Sequence, residues 1–189
     1  MYTKLVAFVT AATVASTALA HGVISSPPRR LPGAAFEAAC GSQVYSNVDS
    51  DQFGNQQGEE QNFNSDTTSA CRVYLCKSLM YEDNTGNVQS FSANQVVPIE
   101  IDIEAPHTGV ANVSVVDTTT NTVLAGPLIS FDPAYSVSTP IPANQTSFSV
   151  TIPNLNGACT TAGVCVLQWW WDARPIDQTY MSCVDFTQG

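Results

Sequence analysis

Apolar and polar side chains alternate over much of the second half of the chain. Ile99, Ile101 and Ile103 are interleaved with Glu100, Asp102 and Glu104, a period of two that predicts a strand with one buried face. Val113 and Val115 continue the pattern beyond His107, and Phe148, Val150 and Ile152 repeat it until Pro153 stops it. Val164 to Trp171 is an apolar and aromatic run that reads as a central strand, and Tyr180 to Phe186 reads as a final one. Within the first of these, Trp169 and Trp171 face one way and Trp170 the other, and core packing is their expected role. Asp117 to Asn121 is a polar turn cluster. Helical periodicity is almost absent. Residues 22–65, rich in Pro, Gly, Asn and Gln, read as a long irregular region of the kind that is functional or packed. A short helix is expected over residues 70–79. Short strands separated by turn signals predict an all-β fold, an antiparallel β-sandwich with long loops, in one domain without internal repeats.

The first twenty residues follow a different logic. Lys4 is a positive n-region, Leu5 to Ala15 is a short apolar run, and Ala18-Leu19-Ala20 is a small-residue cleavage site. The run is too short to span a membrane. Residues 1–20 therefore read as a secretory signal peptide and residues 21–189 as the mature domain, secreted to the outside of the cell. Cleavage after Ala20 would leave His21 first, with a free α-amine.

Composition narrows the partners. The formal charge of −10 becomes −11 once Lys4 is removed. Such acidity excludes the basic footprint that nucleic acid needs and argues against anionic membranes. It suits a neutral partner such as a polysaccharide. The polar surface is built from Ser, Thr, Asn and Gln, with only 12% charged residues.

All six cysteines, Cys40, Cys71, Cys76, Cys159, Cys165 and Cys183, follow the signal segment, so three disulfides are expected in an oxidising compartment. Six cysteines allow fifteen connectivities. Proximity in sequence favours Cys71–Cys76 and Cys159–Cys165, which leaves Cys40–Cys183. The spacings are not those of a zinc ribbon. Two sequons, at Asn112 and Asn144, are candidate glycosylation sites, with Asn144 in the more turn-like segment.

Beyond the signal segment there are two histidines, His21 and His107. Two imidazoles and one terminal amine make three nitrogen donors, a set that suits cupric copper. The amine must lose its proton to bind, and its ordinary pKa of about 8 makes that inexpensive at neutral pH. Alone, His107 reads as a packed or surface-loop histidine; its place in Pro106-His107-Thr108-Gly109 puts it at a strand end, where loops converge. In a strand, Gln178 and Tyr180 point to one face, which would bring a phenol and an amide to the same site.

These segments carry a resemblance. His21-Gly22 at the cleavage site, Ala105-Pro106-His107-Thr108-Gly109, Trp171-Asp172-Ala173, Asp177-Gln178-Thr179-Tyr180 and Cys183-Val184-Asp185-Phe186 together resemble the fungal lytic polysaccharide monooxygenases, most closely auxiliary activity family sixteen. The resemblance implies an immunoglobulin-like β-sandwich with a flat surface around one copper ion. It implies a histidine brace in which His21 gives its amine and Nδ1, and His107 a ring nitrogen. Tyr180 looks like the axial tyrosine of such sites and Gln178 like their hydrogen-bonding glutamine. It implies oxidative cleavage of cellulose or a related β-glucan, with oxidation at C1, by a monomer using an external electron donor and oxygen or hydrogen peroxide. Some such families add a third histidine beside the glutamine. Here Asp177, or Gln178 alone, is expected to take its place. A copper-binding module without catalysis, as in copper acquisition, is the alternative function; a wall protein without metal is the other.

Overall fold

The computed structural model describes residues 21–189, so the signal segment lies outside the described residues. Two sheets face each other. The smaller joins β1 (His21–Ser26), β3 (Val96–Ala105) and β6 (Ser147–Thr151) in the order β1-β3-β6. The larger joins β2 (Gln89–Phe91), β4 (Gly109–Asp117), β5 (Thr122–Ala134), β7 (Cys165–Ala173) and β8 (Gln178–Gln188) in the order β2-β8-β7-β4-β5. Every pair is antiparallel except the short β2–β8 pair. This is the expected β-sandwich, with the aromatic run as the middle strand of the larger sheet.

The alternation read from the sequence is what fills the space between the sheets. Val97, Ile99 and Ile101 of β3 meet Val113 and Val115 of β4, Leu167, Trp169 and Trp171 of β7, and Tyr180 and Val184 of β8. Trp169 and Trp171 are fully buried, and Trp170 is half-buried on the opposite face.

Residues 34–60 are helical, contrary to the irregular region expected there. They form α1 (Ala34–Cys40), α2 (Ser42–Ser50) and α3 (Gln56–Glu60). Phe36, Cys40, Val44 and Val48 recur every fourth residue and make a second small core with Ala39 and Leu79. Gly41, at φ +88°, breaks the run between α1 and α2 and hides the period. α1 has no capping side chain of its own; the Asp83 carboxylate accepts from the Ala35 and Phe36 amides, each at 2.9 Å. The short α4 (Ala143–Thr146) holds the exposed Asn144, whereas Asn112 lies half-buried in β4.

Residues 70–79 form turns and one short 3-10 helix, Cys76–Ser78, where a helix was expected. Cys76, Lys77 and Ser78 all have left-handed backbones, with φ of 52°, 55° and 59°. Each such residue costs about 1–2 kcal/mol and persists where surrounding contacts over-determine it. The disulfides supply much of that constraint, and they correct the expected pairing. Cys40 joins Cys71, Cys76 joins Cys183, and only Cys159–Cys165 is as expected. The left-handed turn carries Cys76 away from Cys71 and onto β8. Arg30 adds a buried clamp there, holding Asp185 through two 2.7 Å bonds while donating to the Leu79 carbonyl at 2.8 Å.

Candidate metal centre

His21 opens β1, directly opposite Ala105 at the end of β3. His107 stands two residues beyond Ala105, in the link to β4, so the β1–β3 ladder brings both histidines to one end of the sandwich. Trp171 lies beneath them. A Cβ at Gly22 would sit 3.3 Å from the Trp171 ring, and one at Gly109 2.9 Å from its Nε1. The backbones following His21 and His107 therefore approach the same indole as closely as glycine allows. Tyr180 stacks on that indole from β8, with ring centroids 4.5 Å apart and planes 28° from parallel.

The polar contacts around this floor are specific. The Tyr180 hydroxyl donates to Gln178 Oε1 at 2.5 Å, as their shared face requires. The Asn55 side chain faces the same hydroxyl, and its Oδ1 caps α3 by accepting from the Gly58 amide at 2.7 Å. Burial raises the Tyr180 phenol above its ordinary range, the Asn55 bond opposing and the Asp51 charge adding to the effect. The phenol thus stays neutral throughout the physiological range. Gln57 ties α3 to β8 by a paired contact with Thr179, at 2.8 Å to its amide and 3.0 Å to its hydroxyl.

His21 meets a carboxylate that the sequence did not single out. Its Nε2 lies 3.1 Å from Asp51 Oδ2, and Asp51 closes the C-terminus of α2. Asp177, the expected carboxylate, is exposed in a left-handed turn before β8. Strand geometry points Gln178 and Tyr180 inward, and the preceding turn turns Asp177 out. His21, Asp51, Asn55 and Glu59 line an open cleft of about 310 Å³. A larger groove of about 420 Å³, lined by Arg30, Arg72 and Tyr81, contains none of the expected site residues.

Residues 21–186 match the family of lytic polysaccharide mono-oxygenases described as cellulose-degrading. The chain belongs to this family. Lytic polysaccharide monooxygenases are oxidative polysaccharide-cleaving enzymes in which copper is expected. The match supports that class and gives no support to the narrower fungal family sixteen. Among solved structures, the chain is similar to an AA10 lytic polysaccharide monooxygenase from Streptomyces lividans, with 16% identity over 60% of this chain and 72% of that one, at a TM-score of 0.41. It is similar to a chitin binding domain from Burkholderia pseudomallei, with 14% identity over 90% and 100%, at 0.49. It is similar to a CBM33 protein from Bacillus amyloliquefaciens in complex with Cu(I), with 10% identity over 89% and 100%, at 0.42. No curated protein matches the chain. Membership rests on the family match.

The residues of this monooxygenase fit copper by their chemistry. Among the described residues, no group of three or more His, Cys, Asp or Glu side chains is placed to hold a metal. Two imidazoles need a further donor, and a terminal amine on His21 is the one the chain can provide. Asp51 engages Nε2 of His21, so Nδ1, on the side nearer the backbone nitrogen, is the ring atom that would be available to a metal. A carboxylate on the far nitrogen of a metal-binding histidine fixes its tautomer and raises its basicity.

Proposed function

We propose that the chain, processed to begin at His21, is a secreted copper enzyme that oxidatively cleaves cellulose or a related β-glucan, with oxidation at C1. The observation that carries this reading is the state of His21. It is the first residue of the family match, and its Nε2 lies against Asp51, the kind of partner that supports a metal bound at the other ring nitrogen. The α-amine and Nδ1 of His21 and a ring nitrogen of His107 would hold one copper ion. When bound, copper supplies one-electron redox chemistry towards oxygen or hydrogen peroxide, fed by an external electron donor. The protein's own part is positioning. Tyr180, kept neutral by burial, would offer the metal a weak oxygen donor. Gln178, whose carbonyl is taken by Tyr180, offers its amide group as a hydrogen-bond donor. Asn144 is the exposed candidate for a glycan.

Two measurements test this reading. Calorimetry should show tight cupric binding to the chain that begins at His21 and a large loss when one residue precedes it, because the amine becomes an amide. Incubation with cellulose, ascorbate and oxygen should release C1-oxidised oligosaccharides, read by mass spectrometry. Release from chitin alone would move the substrate. Copper binding without products from either would make the protein a copper-binding module.

A further inference from the structure

Lys77 is the one lysine in residues 21–189, and it is 3% exposed. A lysine costs more to bury than almost any other residue, so its three donors should each have a partner. They do. Nζ donates to the Gly54 carbonyl at 2.8 Å and the Gln52 carbonyl at 3.1 Å, and lies 3.3 Å from Glu59 Oε1. The two carbonyls belong to the link between α2 and α3. That link contributes Asp51 to His21 and sets Asn55 beside the Tyr180 hydroxyl. Lys77 itself sits at the centre of the left-handed turn Cys76–Ser78, locked to β8 by Cys76–Cys183. A chain of direct contacts therefore runs from the sandwich, through the disulfide and Lys77, back to the two side chains that touch His21 and Tyr180.

We propose that Lys77 is a positioning residue for the metal centre: it fixes the backbone of residues 51–55, and through Asp51 and Asn55 it sets the orientation of the His21 ring and the Tyr180 hydroxyl. The functional half rests on the copper reading above; the structural half does not need copper. Glu59 balances the ammonium charge when it is ionised but makes no bond to the link. Its removal alone leaves both carbonyl bonds in place. The ammonium, not the ion pair, is the working part.

The test uses the protein beginning at His21. Without copper, a single protected ammonium signal should appear in nitrogen NMR, with couplings across hydrogen bonds to the Gln52 and Gly54 carbonyl carbons. Absence of those couplings in the wild type overturns the proposal before any variant is made. Lys77→Met combined with Glu59→Gln removes the donors without stranding a charge. It should shift the His21 and Tyr180 ring resonances of the metal-free protein, alter the cupric electron paramagnetic resonance spectrum, and weaken copper by about tenfold, the lower end for loss of a partner behind a ligand. Glu59→Gln alone should leave the ring resonances and the cupric spectrum as in the wild type. A folded double variant with wild-type ring resonances and spectrum would sink the idea. Wild-type protein with the expected couplings but no copper at His21 would instead sink the copper reading.

Discussion

The sandwich and the helical segment packed on it, residues 34–83, are held by different forces. The sandwich buries a continuous core from alternating positions of β3, β4, β6, β7 and β8. The segment buries only a small cluster around Phe36, Val44 and Val48. It makes up the difference with Cys40–Cys71, Cys76–Cys183, the Arg30–Asp185 clamp and bonds from side chains to backbone. Packing is tolerant of detail and polar contacts are not. The sandwich thus supplies a rigid floor, Trp171, and the strands that bring His21, His107 and Tyr180 to it. The segment supplies Asp51 and Asn55, whose positions depend on a few discrete bonds.

The sharpest way to separate the two contributions is to remove a proposed ligand from the sandwich side. His107→Ala should abolish oxidised-product formation and weaken copper by more than about 100-fold, the upper limit for losing a mere partner of a ligand. Calorimetry and product analysis check it. Next come the disulfides. Loop-closure entropy assigns about 5 kcal/mol to Cys76–Cys183, which closes 107 residues, and about 2 kcal/mol to Cys159–Cys165, which closes 6. Paired Cys→Ala variants compared by denaturant unfolding should show that ranking.

Glu59 gives a third contrast, in pH. Burial raises its pKa to about 7 from 4.5, with Lys77 opposing. Between those values the folded chain holds a proton that the unfolded chain has lost. Stability therefore falls as pH rises through this window, by up to about 3 kcal/mol, and levels off above it. Glu59→Gln should flatten that part of the curve. Denaturation midpoints at pH 4.5 and 7.5 decide it. The smallest effect is expected at Tyr180→Phe, which should keep copper and change its paramagnetic resonance spectrum. An unchanged spectrum would remove Tyr180 from the site.

β3 and β6 were legible because one face of each is wet and the other dry, whereas β8, buried on both faces, was legible from its apolar and aromatic content. β5 escaped because it lies at the sheet edge with both faces largely exposed, and Gly126, Pro127 and Pro133 interrupt it. The helices of residues 34–60 escaped because Gly41 splits one four-residue apolar repeat into two short pieces. The histidines, Tyr180 and Gln178 could be read from position: a cleavage site, a strand end, one face of a strand. Asp51 could not. It sits in Asn47-Val48-Asp49-Ser50-Asp51, where two aspartates look alike and only the end of α2 distinguishes them. Sequence proximity misled the cysteine pairing for a related reason, since three consecutive left-handed residues reverse the chain between Cys71 and Leu79.

Burying the one lysine of residues 21–189 has a practical consequence. Residues 21–189, once processed, would present a surface without a single reachable ε-amine. Reagents that acylate amines, the usual means of dyeing a protein or fixing it to a solid support, would find one open target. That target would be the α-amine of His21. Routine labelling would silence the enzyme, and the extent of silencing would itself count how many molecules carried a correctly trimmed first residue.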